Sequence, residues 1–349
     1  MSHPPPVRGP APHAPEVSSS SLGALSRAVL ALLVLGLITA GALGVSRWSA
    51  ARTIPARAPL PDTVPTTGRV HDFVLEAAPT TLPLLDGRGL EVWAYNGQVP
   101  GPTLRATVGD TVRVRLTNRL PQPTTIHWHG IRLPNGMDGV PGVTQPPIEP
   151  GASFTYEFQV KDAGTFWFHP HLRGSEQVER GLFGLLIVEE PSPPAHSREL
   201  VWVLDDWRLD ERGQIDPRFN TRGDLAHDGR WGQVLTVNGA FQPTVRVRPG
   251  ERLRLRLVNV ANGRVFSPAL RGVDAQLIAF DALVTDRPLP AEGLTLAPGN
   301  RADLLLTVPP QLRGGRVQVV DRFGRGERVL AELEVEGKPA APPQALPPL

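Results

Sequence analysis

The chain carries the same set of turn signals twice, and this repeat constrains its fold more than any other feature. Asn96-Gly97 and Asn238-Gly239 are turn signals of the same kind. Gly109-Asp110 and Gly250-Glu251 each stand directly before a strand-like segment. The copies are offset by roughly 140–150 residues, which is the size of a domain rather than of a solenoid repeat. Two similar domains in succession are therefore expected.

Both copies consist of short segments in which polar and apolar residues alternate. The clearest are Thr111–Thr117 and Arg252–Arg256, and a period of two is typical of a strand. The 39 prolines and 35 glycines supply the many turns that short strands need. We therefore predict an all-β chain of two consecutive sandwich domains, residues 69–192 and 198–337. The alternating arginines indicate a solvated strand face and no nucleic-acid partner, because the net charge is only +2.

The two ends of the chain differ from these domains in composition. Residues 1–27 are rich in Pro, Ser and Ala, and this composition predicts a disordered tail. Residues 47–68 are predicted to be a linker, and residues 338–349 a Pro/Ala-rich tail. Residues 28–46 are apolar and uncharged, at the lower length limit for a transmembrane helix. The segment is predicted to be either a membrane anchor or an export signal. The globular part is therefore expected outside the cytoplasm, in the periplasm or at the cell surface.

Two His-x-His triplets in the first copy, His127-Trp128-His129 and His169-Pro170-His171, predict a metal site. Residues two apart on a strand point to the same face, roughly 6.6–7 Å apart along it. On neighbouring strands, four imidazoles would converge, and imidazole suits Zn, Cu, Fe and Ni. Trp128 is expected to face a core, and Pro170, which lacks an N–H, indicates a sheet edge or a bulge. A lone histidine is usually a surface or core residue, but these triplets hold four of the nine histidines.

The second copy lacks these triplets. In place of the first triplet it continues with Ala261–Phe266, and in place of the second it reads Val317–Asp321. We predict that the second domain is a packing or spacer module. His196 and His227 are assigned to solvent.

The motifs of the first copy together resemble the first domain of a three-domain multicopper oxidase of the laccase or bacterial copper-resistance type. They are Asn96-Gly97-x-x-Pro100-Gly101-Pro102-Thr103, Gly109-Asp110, Thr125–Gly130, Asp138–Pro141 and Gly164–His171. Residues 198–337 are similar to the second domain of that family, which carries no copper. The resemblance implies cupredoxin-like Greek-key sandwiches and copper as the cofactor.

The resemblance also implies a role for each candidate site residue. His127 would bind the type 2 copper, and His129, His169 and His171 would bind the type 3 coppers. Asp138 matches an acidic residue that assists proton delivery during oxygen reduction. An Asp that caps the turn before Gly139 is an open alternative.

The sequence departs from the family pattern in two respects. It contains no cysteine, which excludes a type 1 copper site on these 349 residues. The tail at 338–349 stands where a third domain would begin, so we expect that domain to be absent. The predicted function is a copper-binding oxidoreductase that couples oxidation of a small reducing substrate to reduction of O₂ to water. It would need a separate chain that supplies a third cupredoxin domain, and the isolated chain is not expected to be a complete oxidase.

Other functions stay open at this point. The chain would alternatively be a non-catalytic, membrane-tethered copper-binding or scaffold protein, or a truncated gene product whose histidines are a relic. A cupin-type metal enzyme also uses His-x-His, but Gly130–Gly136 lacks the acidic residue expected soon after that pair.

Overall fold

The computed structural model describes residues 62–83, 87 and 89–341, and the regular secondary structure of this part is almost entirely β-strand. The predicted tail at 1–27 and the apolar segment at 28–46 lie outside the described residues, as do most of the linker and of the C-terminal tail. Within the described ranges, no helix has the length and apolar character needed to cross a membrane.

The first domain contains two four-stranded sheets. Its strands are β1 (Val70–Leu82), β2 (Leu90–Tyr95), β3 (Thr103–Thr107), β4 (Thr111–Asn118), β5 (His127–His129), β6 (Ser153–Gln159), β7 (Gly164–His169) and β8 (Gly184–Glu189). The sheet orders are β2-β1-β4-β6 and β3-β8-β7-β5. A 3₁₀ turn at Asn135–Met137 and a short helix α1 (Gly174–Gln177) lie in its connections.

The second domain contains a six-stranded and a four-stranded sheet. Its strands are β9 (Arg198–Trp207), β10 (Val234–Val237), β11 (Thr244–Val247), β12 (Arg252–Asn259), β13 (Pro268–Leu270), β14 (Ala275–Phe280), β15 (Leu283–Pro290), β16 (Arg301–Thr307), β17 (Arg316–Asp321) and β18 (Arg328–Val335). The sheet orders are β10-β9-β12-β16-β14-β15 and β11-β18-β17-β13. Its connections hold α2 (Arg222–Ala226) and a 3₁₀ turn at Pro310–Leu312.

The second domain repeats the first strand for strand. Strands β9 to β13 take the places of β1 to β5, and β16 to β18 take the places of β6 to β8. In both domains the first strand pairs in parallel with the fourth, and the third with the eighth or its counterpart. The β14–β15 hairpin is the addition in the second domain. The all-β prediction is therefore confirmed. The strand order of the first domain recurs in the second, in the same way that the turn signals recur in the sequence.

The repeated asparagines have the same structural roles in both domains. Asn96 and Asn238 both adopt a positive φ, 54° and 53°, and each accepts a backbone N–H through Oδ1 at 2.7 and 2.8 Å. Asn118 and Asn259 are both fully buried, and each amide donates to two backbone carbonyls. These side chains replace backbone partners in the turns, which is why the same residue recurs at the same place.

Two arginines of β12 are buried, so the predicted solvated face on this strand is wrong. The side chains of Arg254 and Arg256 are 1 % and 0 % exposed. Both donate to Asp303 Oδ2, at 2.6 and 2.8 Å, and Arg254 also donates to Glu190 at 2.9 Å. Thr165 on β7 donates to Asp303 Oδ1 at 2.7 Å, which links the first domain to this cluster. The face is dry because the first domain covers it, and carboxylates compensate the charge.

The interpretation of Pro170 is also wrong. Strand β7 ends at His169, and it pairs with β8 on one side and β5 on the other, so it is neither an edge strand nor bulged at Pro170. Pro170 needs no ladder partner because it lies just past the strand end. Trp128 faces the core as predicted: it is 1 % exposed and packs against the rings of Tyr156, Phe158 and Phe168.

Candidate metal centre

Two paired strands of the first domain carry the histidines. Strands β5 and β7 are antiparallel, with His127 opposite His169 and His129 opposite Trp167. The inward positions on β5 hold Trp128, so its two histidines point away from the core. His171 lies two residues past the end of β7, where the chain turns back toward His127.

The four imidazoles converge on one place. The ring centroid of His127 lies 5.9 Å from that of His129, 5.4 Å from that of His169 and 5.1 Å from that of His171. One ring nitrogen from each of His127, His129 and His169 lies within 4.8 Å of the others. The sequence-predicted histidines are therefore brought together, although only three of them lie on strands.

Backbone carbonyls orient two of the rings. Nδ1 of His127 donates to the carbonyl oxygen of Asp138 at 2.9 Å, and Nδ1 of His169 donates to that of Pro170 at 3.0 Å. Each ring thus keeps Nε2 as a free ligand atom, as is usual for metal-binding histidines. Nδ1 of His129 lies 3.4 Å from Nε2 of His169. Two nitrogens bound at about 2.0–2.1 Å to one tetrahedral ion would lie roughly 3.3 Å apart. This donor set therefore fits a metal ion.

Burial keeps two of these imidazoles neutral. It lowers the pKa of His129 to about 4, with a smaller contribution from the positive charge of Arg301. The pKa of His169 is lowered to about 3, chiefly by burial and in smaller part by the neighbouring histidines. Near neutral pH both side chains therefore present the unprotonated nitrogen that metal binding requires.

An indole ring supports both of these histidines. Trp167 stacks on His169 with ring centroids 4.1 Å apart and lies 4.9 Å from His129. The ring is 5 % exposed, and its Nε1 has no hydrogen-bond partner among the described residues. Trp167 therefore restricts the rotation of two candidate ligands from one side.

Asp138 lies beside His127. Its carboxylate Oδ1 is 3.2 Å from His127 Nδ1, and its side chain is 32 % exposed. Its backbone N–H donates to Asn135 O, which closes the 3₁₀ turn. Gly139 follows with φ +75°, and a Cβ there would overlap the carbonyl oxygen of Ile126. The loop is thus held against the start of β5, and Asp138 has both a turn contact and a contact with His127.

The second domain has other residues at the equivalent positions. Pro268 pairs with Asp321 in the register in which His127 pairs with His169. The counterpart of β5 is therefore β13 and not the segment 261–266 that the sequence suggested. His196 donates to Pro194 O in the connection between the domains, and His227 is exposed at the end of α2.

Sequence reasoning missed two residues of the second domain that border the site. A Cβ at Gly299 would lie 2.8 Å from Cε1 of His129, and a Cβ at Gly130 would overlap the guanidinium of Arg301. Pro298-Gly299 repeats the Pro150-Gly151 turn signal of the first copy, but no local pattern shows that Gly299 or Arg301 borders the histidines, because these contacts are made across the domain boundary.

Comparison with known proteins agrees with this geometry. Residues 76–193 and 198–316 match two family profiles, each described as multicopper oxidase. The chain is 31 % identical to copper resistance protein A of Pseudomonas syringae pv. tomato, over 88 % of this chain and 57 % of that protein. It is 32 % identical to the multicopper oxidase MmcO of Mycobacterium tuberculosis, over 80 % of this chain and 59 % of that protein. The chain thus spans a little over half the length of these relatives.

Solved structures show the same fold. A multicopper oxidase from Pseudomonas thermotolerans superposes with a TM-score of 0.72 at 41 % identity, covering 80 % of this chain and 67 % of that one. The sheets described above are accordingly cupredoxin-like, and copper is the cofactor that the likeness implies. Both halves of the described structure match, so the chain belongs to the multicopper oxidase family.

Proposed function

We propose that this chain is the copper-binding part of a multicopper oxidase that oxidises a small reducing substrate and reduces O₂ to water. The observation that carries the proposal is the convergence of His127, His129, His169 and His171 on one face of the first domain. Bound copper would supply one-electron redox chemistry there. The residues of this chain hold and orient the ligands.

The ring orientations support a division of the ligands. The plane of His127 is inclined by 72°, 74° and 71° to those of His129, His169 and His171. His129 and His169 have their facing nitrogens 3.4 Å apart, whereas His127 is held separately by Asp138. This arrangement supports His127 as the type 2 ligand and the other three as type 3 ligands.

Four imidazoles are too few for three coppers. Cu(II) prefers a tetragonal set of N and O ligands, so each ion needs more donors than these residues provide. A thiolate for a type 1 copper would also come from outside this sequence, which has no cysteine. We therefore propose that a further cupredoxin domain, outside these 349 residues, completes the site. The histidines are half-buried to exposed and so are open to such a partner.

Asp138 is proposed as a proton carrier. Its carboxylate is partly exposed and lies next to His127, so it links solvent to the edge of the site. Its role in closing the turn is carried by the backbone, since the N–H of Asp138 and not its carboxylate bonds to Asn135. Asp138→Asn would keep this turn and remove the proton carrier.

A second candidate is a copper-binding protein without oxidase turnover. The same incomplete ligand set favours it, because a site with open positions binds copper but has no route for substrate electrons. In either case we propose a location outside the cytoplasm, on the strength of the apolar segment at 28–46.

Copper content tests the site directly. The purified chain is expected to bind copper, and each of His127→Ala, His129→Ala, His169→Ala and His171→Ala is expected to reduce the bound copper, measured by elemental analysis. His196→Ala and His227→Ala are the matched controls and should bind as the unmodified chain does. Unchanged copper content in all four site variants would refute the ligand assignment. Oxygen uptake with a phenolic donor is expected only after the partner domain is added.

A further inference from the structure

The second domain forms one wall of the histidine site. The turn before β16 places Gly299, at φ +85°, against the imidazole of His129. A Cβ at Gly299 would lie 2.8 Å from Cε1 and 3.0 Å from Nε2 of His129, so any larger residue would displace the ring. The equivalent Gly151 of the first domain has open space around it. The close contact with a histidine is therefore made by the second-domain turn at Gly299 and not by its first-domain counterpart at Gly151.

Arg301 brings a buried positive charge to this wall. Its side chain is 5 % exposed and fixed in three directions. Nε donates to the backbone oxygen of Thr165 on β7 at 3.1 Å, and Nη1 donates to Gly299 O at 3.1 Å and to Asp281 Oδ1 at 2.9 Å. Nη2 occupies the space beside Gly130, directly after His129. The guanidinium thus contacts both β7, through Thr165, and the residue that follows β5, Gly130.

The carboxylate that balances Arg301 lies toward solvent. Asp281, at the tip of the added β14–β15 hairpin, is 33 % exposed, whereas Arg301 is almost fully buried. Asp281 also accepts the backbone N–H of Arg301 and the side-chain amide of Asn300. Asp303, the other carboxylate that acts on Arg301, is already paired with Arg254 and Arg256. Because Asp281 is partly solvated, it screens the buried cation incompletely, and a positive field remains on the His129 side.

We propose that Arg301 is a positioning residue of the metal centre, through which the second domain fixes His129 and favours Cu(I) over Cu(II). This inference rests on the proposed function. A fixed positive charge repels a doubly charged ion more than a singly charged one at the same distance. The domain without copper ligands therefore sets the relative affinity of the site for the two copper states.

The ratio of Cu(II) to Cu(I) affinity tests this inference. Both affinities are measured by competition with chelators on the full chain, with Arg301→Gln, Arg301→Lys and Asp281→Asn as variants. Arg301→Gln is expected to shift the ratio toward Cu(II) by about tenfold, given a charge several ångströms away in a partly screened medium. Arg301→Lys keeps the charge and should stay within about threefold of the unmodified ratio. Asp281→Asn should shift the ratio toward Cu(I).

The ratio separates charge from general damage. A purely structural role would weaken both affinities together and leave the ratio unchanged in Arg301→Gln, which would overturn the inference. Arg264→Gln is the matched control: it removes a buried arginine that pairs with Asp206, and it should not move the ratio. If the unmodified chain bound neither copper state, the proposed function would fail together with this inference. If it bound both and Arg301→Gln left the ratio unchanged, only this inference would fail.

Discussion

Strands β4 and β12 occupy equivalent places in the two domains and have nearly the same sequence pattern, yet their arginines have opposite environments. In β4, Arg115 is exposed and Arg113 forms surface pairs with Asp72 and Glu157. In β12, Arg254 and Arg256 are buried with carboxylates. The alternation specifies a strand in both cases, but only the neighbouring domain decides which face is dry.

The histidine site shows the same contrast. In the first domain, β5 and β7 present His127 opposite His169, and in the second domain the same pair of positions holds Pro268 and Asp321. The backbone scaffold is common to both, so metal binding depends on the side chains placed on it. The second domain still takes part, because its Gly299 lies against His129 and its Arg301 lies against Gly130, the next residue in the chain.

The largest expected effect comes from breaking the buried cluster on β12. Arg254→Met would remove the main partner of Glu190 and one of the two arginines that pair with Asp303, and should lower the free energy of unfolding by about 3–5 kcal/mol. The matched change in β4, Arg113→Met, should have little effect, because Arg113 is partly exposed and pairs with Asp72 and Glu157 only at the surface. Urea-induced unfolding of both variants measures the difference. Equal losses in the two strands would show that the contrast between them has no energetic consequence.

A smaller loss of stability is expected from replacing the buried asparagines. These residues make the same contacts in both domains, so the two losses can be compared directly. Asn118→Ala and Asn259→Ala each leave backbone groups of a turn unsatisfied, and each should cost about 1–3 kcal/mol. The same contacts exist in both domains, so the two losses should agree within about a factor of two. Thermal unfolding of the two variants compares them, and a loss confined to one domain would contradict the equivalence.

The smallest expected change in the free energy of unfolding, near neutral pH, comes from protonation of the histidines. Unfolded histidine has a pKa of about 6.5, whereas burial lowers the pKa of His129 to about 4 and of His169 to about 3 in the folded chain. The unfolded state therefore binds more protons below pH 6.5, so stability is complete above that pH and is lost as the pH falls toward 4. At pH 6 the loss should be about 1 kcal/mol or less per histidine.

Unfolding of the metal-free chain as a function of pH measures this effect. His169→Gln should flatten the loss between pH 6.5 and 4, since glutamine does not titrate. His227→Gln is the control, because that side chain is exposed and should leave the curve unchanged. A curve that His169→Gln does not alter would show that its imidazole is not held neutral by the fold.

Much of the fold was predictable because strands and turns are local features. Thr111–Thr117 was assigned within one residue of β4, and the repeated asparagines and glycines predicted that one domain copies the other. The side-chain period of a strand places His127 and His129 on the same side of β5, and the pairing of β5 with β7 adds His169. His171 converges for another reason, a turn after β7 that no strand pattern describes.

The sequence by itself determined where many of the strands and turns lie and that the two histidines of the first triplet point to the same side of their strand. Only the tertiary structure decided that Arg254 and Arg256 of β12 are buried, and that Gly299 lies against His129 and Arg301 against Gly130. The physical reason is the range of the interactions. Alternation and turn preferences act over a few neighbouring residues, whereas burial and the field of a charge depend on whatever surface the rest of the chain brings alongside.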